Sequence, residues 1–210
     1  MNITNDIVAA YVQNLYTCAN ANLNNLRAEA EQNHVPIILR DTEGLLKTLL
    51  MIKKPARVLE IGTAVGYSSC VFTDTCDCNV TTVELDDSVA DTAEANIERL
   101  GFADKITVLR GDAAEVLKNI ETNDFDFVFI DAAKSHYRQF WDLILPHCAE
   151  DAVIVCDNVL QKGMTASDEF DTRKRYKTSI RKMRDFLEYI TVNFDTCVLP
   201  VGDGVSITNL

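Results

Sequence analysis

From Arg57 onward, short apolar runs alternate with helix-patterned stretches, and that alternation leaves few folds open to the chain. Residues 57–61, 80–84, 106–109, 126–131 and 152–156 read as strands. Helical patterns lie between them, over residues 67–73, along Val89, Ala93, Ile97 and Leu100, along Val116, Leu117 and Ile120, and over residues 137–145. Asp87 or Ser88 can cap the second of these helices and Gly101 can stop it, while Asp112 with Glu115 forms a capping-box pattern ahead of the third. Strands joined through helices run parallel. A charged helix over residues 172–190 follows, then strands near 196–199 and 205–208 joined through Gly202-Asp203-Gly204. The expected fold class is α/β: a Rossmann-like, doubly wound, mostly parallel seven-stranded sheet with an antiparallel terminal hairpin.

Ahead of the alternation, residues 4–16 place Ile7, Val8, Tyr11, Val12 and Leu15 on one helical face. A second helix covers residues 23–33. His34-Val35-Pro36-Ile37-Ile38 is extended, because the residue before a proline avoids the α region. A third helix, over residues 42–51, turns Leu45, Leu46, Leu49 and Leu50 inward. With no repeat, low-complexity tract or linker, the expectation is one domain over residues 1–210, with about 1–52 as an N-terminal helical cap. The first helix has two uses open to it, covering the core or meeting a second copy.

Composition narrows the function. At 47% hydrophobic the chain is globular in character. No apolar run reaches the roughly 18 residues of a membrane span and no leader pattern opens the chain, so the expected location is cytoplasmic. The seven cysteines are odd in number and contain no Cys-x-x-Cys, which fits reduced thiols. Cys156 falls in an apolar strand and is expected in the core. A net charge of −12 argues against indiscriminate nucleic-acid binding.

Two strands end in hard oxygen ligands. Val128-Phe129-Ile130 runs into Asp131, and Val153-Ile154-Val155-Cys156 into Asp157-Asn158. Ligands sit just beyond the carboxyl ends of parallel strands. Asp131, Asp157 and Asn158 therefore converge as a candidate oxygen site for Mg²⁺ or another divalent cation. Lys134, one short turn past Asp131, is a candidate catalytic base there. The bland alternatives are a helix cap for Asp131, a turn for Asp157-Asn158 and a solvated charge for Lys134. His34, His136 and His147 lack zinc spacing; His136 is near the site in sequence but receives no role.

Glu60-Ile61-Gly62-Thr63-Ala64-Val65-Gly66 follows the first strand and opens a helix. Gly62 permits a tight turn and close approach of a ligand. Glu84 ends the second strand, 22 positions beyond Gly62, where an acid can bind ribose hydroxyls. The third glycine of a Gly-x-Gly-x-x-Gly cradle is missing. A cofactor with an adenosine and no phosphates therefore fits better than a dinucleotide, and an NAD oxidoreductase is disfavoured.

These segments carry a resemblance. Leu59-Glu60-Ile61-Gly62-Thr63, Gly66-Tyr67-Ser68, Gly111-Asp112-Ala113, Phe129-Ile130-Asp131-Ala132-Ala133-Lys134 and Asp157-Asn158-Val159-Leu160 resemble the metal-dependent, catechol-type O-methyltransferases, which use S-adenosylmethionine. Within that family, His34-Val35-Pro36-Ile37, residues 157–163 and Pro200-Val201-Gly202-Asp203-Gly204 look most like the bacterial tRNA 5-hydroxyuridine methyltransferases. The resemblance implies that Glu84 holds the ribose and that Asp112 and Ala113 meet the adenine. It implies that Gly62, Ser68 and Ile38 line the methionine portion. It gives Asp131 both a cofactor contact and, with Asp157 and Asn158, the metal. It also implies a homodimer.

Seven basic residues lie between positions 173 and 184 with no acid among them: Arg173, Lys174, Arg175, Lys177, Arg181, Lys182 and Arg184. Such a stripe is either a phosphate-backbone footprint or a solvated helix face. Together with the resemblance it points to methylation of 5-hydroxyuridine at the tRNA wobble position as the leading expectation. Methylation of small catechols or other vicinal phenols is the alternative. A non-catalytic adenosine-cofactor-binding protein is a further one, opposed by the intact Lys134 and oxygen ligands.

Overall fold

The computed structural model describes residues 4–16, 18, 20–121, 123–172 and 175–210. In chain order the elements are α1 (Asp6–Leu15), α2 (Ala21–Gln32), α3 (Arg40–Lys53), β1 (Arg57–Ile61), α4 (Tyr67–Cys76), β2 (Asn79–Glu84), α5 (Asp87–Arg99), β3 (Ile106–Arg110), α6 (Ala113–Asn119), β4 (Phe125–Ile130), α7 (Tyr137–Ile144), β5 (Cys148–Cys156), α8 (Lys177–Asn193), β6 (Asp195–Leu199) and β7 (Val205–Asn209). The seven strands form one sheet in the order β3-β2-β1-β4-β5-β7-β6. β1 to β5 are mutually parallel, and β7 is antiparallel to both β5 and β6. The expected doubly wound sheet with its antiparallel end is what forms.

The period of two along a strand divides the core. Val58, Phe127 and Phe129 point to one face, where they meet Leu46 and Leu50 of α3, Cys70 and Phe72 of α4 and Ile97 of α5. Leu59, Ile61, Val128 and Ile130 point to the other, against Leu117 of α6, Trp141 and Ile144 of α7 and Met183 and Phe186 of α8. Both faces of β4 are covered, which is why its apolar run is unbroken from Phe127 to Ile130. Burying each of these large side chains contributes about 1.5–3 kcal/mol. Edge-on aromatic contacts add to it, with Phe72 and Phe129 centroids 5.5 Å apart and Trp141 and Phe194 centroids 5.2 Å apart. Cys156 is buried as expected, and the cysteines are all free thiols.

Three local expectations are corrected. Asp86, rather than Asp87 or Ser88, caps α5, its carboxylate accepting from the Ser88 and Val89 amides. Asp112 caps α6 through the Ala114 amide, but Glu115 pairs with Lys118 instead of closing a box. The last long helix begins at Lys177, later than its charge pattern implies, because the buried Asp171 carboxylate accepts from the Arg175 and Tyr176 amides and holds the chain in a turn.

The N-terminal helix departs further. Of α1 only Ala9 is buried, while Ile7, Val8, Tyr11, Val12 and Leu15 are exposed, Ile7 by 80%. Periodicity identified an apolar face but not what lies opposite it. Among the described residues no helix is long and apolar enough to cross a membrane.

Candidate active site

The strand order reverses between β1 and β4, so β1 leads outward to β2 and β3 while β4 leads to β5. At such a switch point the connecting loops part and leave a crevice over the strand ends. A cavity of about 1190 Å³ occupies this place. Its floor and walls include Ile38, Gly62, Ser68, Glu84, Asp112, Ala113, Asp131, Lys134, Asp157 and Asn158, so every site residue singled out from the sequence faces one space. The volume exceeds the roughly 300–1,000 Å³ usual for one small ligand, leaving room for two.

Gly62 marks where β1 and β4 come closest. Its φ is +104°, and a Cβ there would stand 2.1 Å from the Asp131 carbonyl oxygen. Only glycine fits, and the close approach brings the turn beside the oxygen ligands. Across the turn, Glu84 accepts from the Ala64 amide at 2.9 Å and from the Leu85 and Asp86 amides at 3.0 and 3.1 Å. Three backbone donors fix the carboxylate in place, two on Oε1 and one on Oε2, so Oε2 retains lone-pair capacity for a ligand. Asp112 spends Oδ1 on the Ala114 amide and is otherwise exposed.

Sequence reasoning assigned no role to Glu60. It is fully buried beneath the turn and accepts from Ser68, Ser69 and Thr82 hydroxyls, the last at 2.7 Å. Burial pushes its carboxyl up to about 7, against the lowering effect of those hydroxyls. Ser68 is thus anchored from below. An acid inside the otherwise apolar run of β1 was the available signal.

A second buried cluster supports the wall. Arg27 and Glu43 form an ion pair between α2 and α3. The Tyr67 hydroxyl accepts from Arg27 Nε at 3.0 Å and donates to Glu43 at 2.8 Å, while Tyr16 donates to the other Glu43 oxygen. Arg27 also donates to the Ile38 carbonyl at 2.9 Å. Since Pro36, Ile37, Ile38 and Leu39 line the cavity, this cluster sets the position of that wall.

At the ends of β4 and β5 lie the oxygen ligands. Asp157 is 2% exposed; its carboxylate accepts from the Asn158 amide at 2.6 Å and its carbonyl from the Tyr137 hydroxyl at 2.8 Å. Asn158 has a φ of +55°, a left-handed conformation that asparagine tolerates. Lys134 Nζ donates to Asn158 Oδ1 at 2.7 Å and stands 3.8 Å from Asp131 Oδ1. Burial, and after it the neighbouring Asp131 charge, raise Asp157 to about 8; burial raises Asp131, against the lowering effect of Lys134. A buried and a half-buried carboxylate that repel each other beside an amide oxygen form a set that gains from a cation among them. The donor chemistry fits a hard divalent ion. Among the described residues no group of three or more His, Cys, Asp and Glu is arranged as a metal site, so the set depends on Asn158.

A glycine turn and an oxygen-lined strand pair facing one cavity, on a sheet closed by an antiparallel hairpin, define the class I methyltransferase fold. Comparison with known proteins carries this further. The O-methyltransferase family model matches residues 14–209. A structure described as a putative caffeoyl-CoA O-methyltransferase from Staphylococcus aureus superposes with a TM-score of 0.90 at 30% identity, covering 97% of this chain and 99% of that one. Caffeoyl-CoA O-methyltransferase from Populus kitakamiensis is 28% identical over 80% of this chain and 75% of its own length. Catechol O-methyltransferase from Mycobacterium tuberculosis is 35% identical over 55% of this chain and 54% of its own length. The chain belongs to the O-methyltransferase family, and as an enzyme it is an S-adenosylmethionine-dependent O-methyltransferase.

Proposed function

We propose that this enzyme methylates small catechols or other vicinal phenols with the help of a divalent cation. The observation that carries the reading is the grouping of Lys134, Asp131, Asp157 and Asn158 in one cavity, beside the glycine turn that opens it. The relatives named for catechol and caffeoyl-CoA substrates support it. The earlier leading expectation, a tRNA substrate, has no support among them and gives way to this one.

Glu84 takes the ribose hydroxyls of S-adenosylmethionine, and the Asp112 side chain and Ala113 backbone take its adenine. Gly62, Ser68 and Ile38 enclose the methionine portion, with Asp131 between donor and acceptor. Asp131, Asp157 and Asn158 would hold the cation, which would supply Lewis-acid chemistry that lowers the pKa of the substrate hydroxyl. Lys134 Nζ, beside those ligands, takes the phenolic proton in its neutral amine form. Holding the oxygen in line with the methyl group supplies up to about 7–11 kcal/mol of the barrier reduction. The test is binding and turnover together: S-adenosylhomocysteine should bind and NAD should not, and catechol with S-adenosylmethionine should give its monomethyl ether. Binding of NAD alone, or donor binding without any phenol methylation, would overturn the reading.

One observation favours an RNA substrate as a second reading. Arg175, Lys177 and Arg181 are exposed, and their side chains make no bonds among the described residues. The stripe is reduced on its other members. Arg184 is tied to the Thr165 and Met164 carbonyls and Asp168, and Lys182 to the Ser135 carbonyl. Arg173 and Lys174 lie outside the described residues. Charge reversal at Arg175 and Arg181 separates the readings, since only RNA methylation would suffer. The exposed apolar face of α1 supports a homodimer, which light scattering would reveal.

A further inference from the structure

The cavity is electrically lopsided. Among the described residues that line it, every lysine, arginine or histidine sits at the β4–β5 end: Lys134, His136 and Lys162. At the β2–β3 end the charged lining groups are Glu84, Asp112 and Glu115. Asp131, Asp157 and Asp203 line that same end, so its bases stand among carboxylates, and what sets the end apart is that it alone offers cationic side chains to a ligand. The wholly acidic end suits a sulfonium donor. The end that holds the lysines faces the acceptor.

The three bases are not equivalent. Lys134 is held by Asn158 and lies near Asp131. The His136 ring nitrogen Nδ1 is 3.2 Å from Ser135 Oγ. Lys162 differs: its backbone amide donates to Asp203, but its ammonium makes no hydrogen bond or salt bridge among the described residues. It is exposed at the rim, in a loop whose Asn158, Gln161 and Lys162 all have positive φ. The Asp203 carboxylate and the Leu160 amide, which donates to the Asp203 carbonyl at 3.1 Å, fix that loop to the turn after β6. A lysine held by its backbone while its charged tip stays unpaired is ready for a ligand. The Lys162 charge acts on the Asp203 carboxylate, but the two form no salt bridge, and Lys162 itself lines the cavity.

We propose that Lys162 determines substrate specificity by binding an anionic substituent, a carboxylate or phosphate, on the phenol whose hydroxyls face Asp131, Asp157 and Asn158. The proposal rests on the catechol reading and adds the charge of the substrate to it. Rim charges contribute modestly, so the expected effect is a preference and not an absolute requirement.

The test compares protocatechuate with its uncharged methyl ester, both vicinal diols of the same ring. The readout is the ratio of their kcat/KM values in the wild type, Lys162→Arg, Lys162→Gln and Lys162→Glu. The wild type should favour the acid by about fivefold. Lys162→Arg should keep that ratio, Lys162→Gln should bring it near one, and Lys162→Glu should favour the ester. An unchanged ratio in Lys162→Gln and Lys162→Glu, with both phenols still methylated, overturns the subsite and leaves the catechol reading standing. Methylation of neither phenol by the wild type overturns the catechol reading itself, and the subsite with it.

Discussion

The Lys134 ammonium stands 2.7 Å from the side-chain oxygen of Asn158, across the gap between the loop after β4 and the end of β5. The contact joins the candidate base to the candidate ligand set before any substrate arrives. It also places the Lys134 nitrogen, once it has given up its own proton, where a proton leaving a bound phenol must go.

Lys134→Ala should therefore lower kcat by about 10²–10⁴-fold, the usual contribution of a positioned base. S-adenosylhomocysteine affinity should change little, because the contacts proposed for the donor lie at Glu84, Asp112 and Gly62. Steady-state kinetics with calorimetry for the donor product checks both halves. Equal losses in turnover and donor affinity would count against a proton-transfer role.

Gly62→Ala should abolish donor binding. The added Cβ would meet the Asp131 carbonyl at 2.1 Å, on a backbone whose φ of +104° no L side chain adopts readily. Relief requires moving β1 away from β4 at the cavity floor. Calorimetry with S-adenosylhomocysteine should show no measurable heat, and wild-type affinity would show that the floor tolerates the shift.

Glu43→Ala should destabilise the fold by about 3–5 kcal/mol, since it leaves Arg27 charged and buried without its partner. For a chain of this size that corresponds to a drop in Tm of about 10 °C. Replacing both partners with apolar residues of similar volume should cost less than the single change. A thermal melt of the wild type and the two variants decides it, and a wild-type Tm for Glu43→Ala would refute the cluster's structural weight.

Glu60 has a folded value raised to about 7 from an ordinary 4.5, mainly by burial. The folded protein therefore holds a proton that the unfolded chain gives up between those pH values. Its contribution is fully present below about pH 4.5 and is lost as pH rises through about 7. Glu60→Gln should flatten that part of the stability profile, leaving the slope that Asp157, raised to about 8, contributes in the same direction. Urea titrations at a series of pH values measure it. Parallel profiles for variant and wild type would contradict the assignment.

The fold was legible because β1 and β4 are buried on both faces and their runs end in polar groups that cannot enter the core. The crevice was legible for the same reason, as Gly62, Asp131 and Asp157 each stand at the first position past a buried strand. Glu60 was not, since a carboxylate inside a strand looks like any polar strand position until Ser68, Ser69 and Thr82 are brought to it by folding. Arg27, Tyr67 and Glu43 are distant in sequence and carry no shared spacing. Lys162 stands out only in the folded chain, because its place on the cavity rim exists only in three dimensions. The delayed start of α8 came from Asp171, whose capture of two amides outweighed the helical pattern ahead of Lys177.

The central claim is that Asp131, Asp157 and Asn158 hold a divalent cation that the reaction needs. Methyl transfer to catechol in the presence of excess EDTA, followed by readdition of Mg²⁺, tests it most directly. Turnover should disappear with the chelator and return with the metal, and an Asp157→Asn, Asn158→Ala double variant should not recover. Turnover that continues undiminished in EDTA would contradict the account.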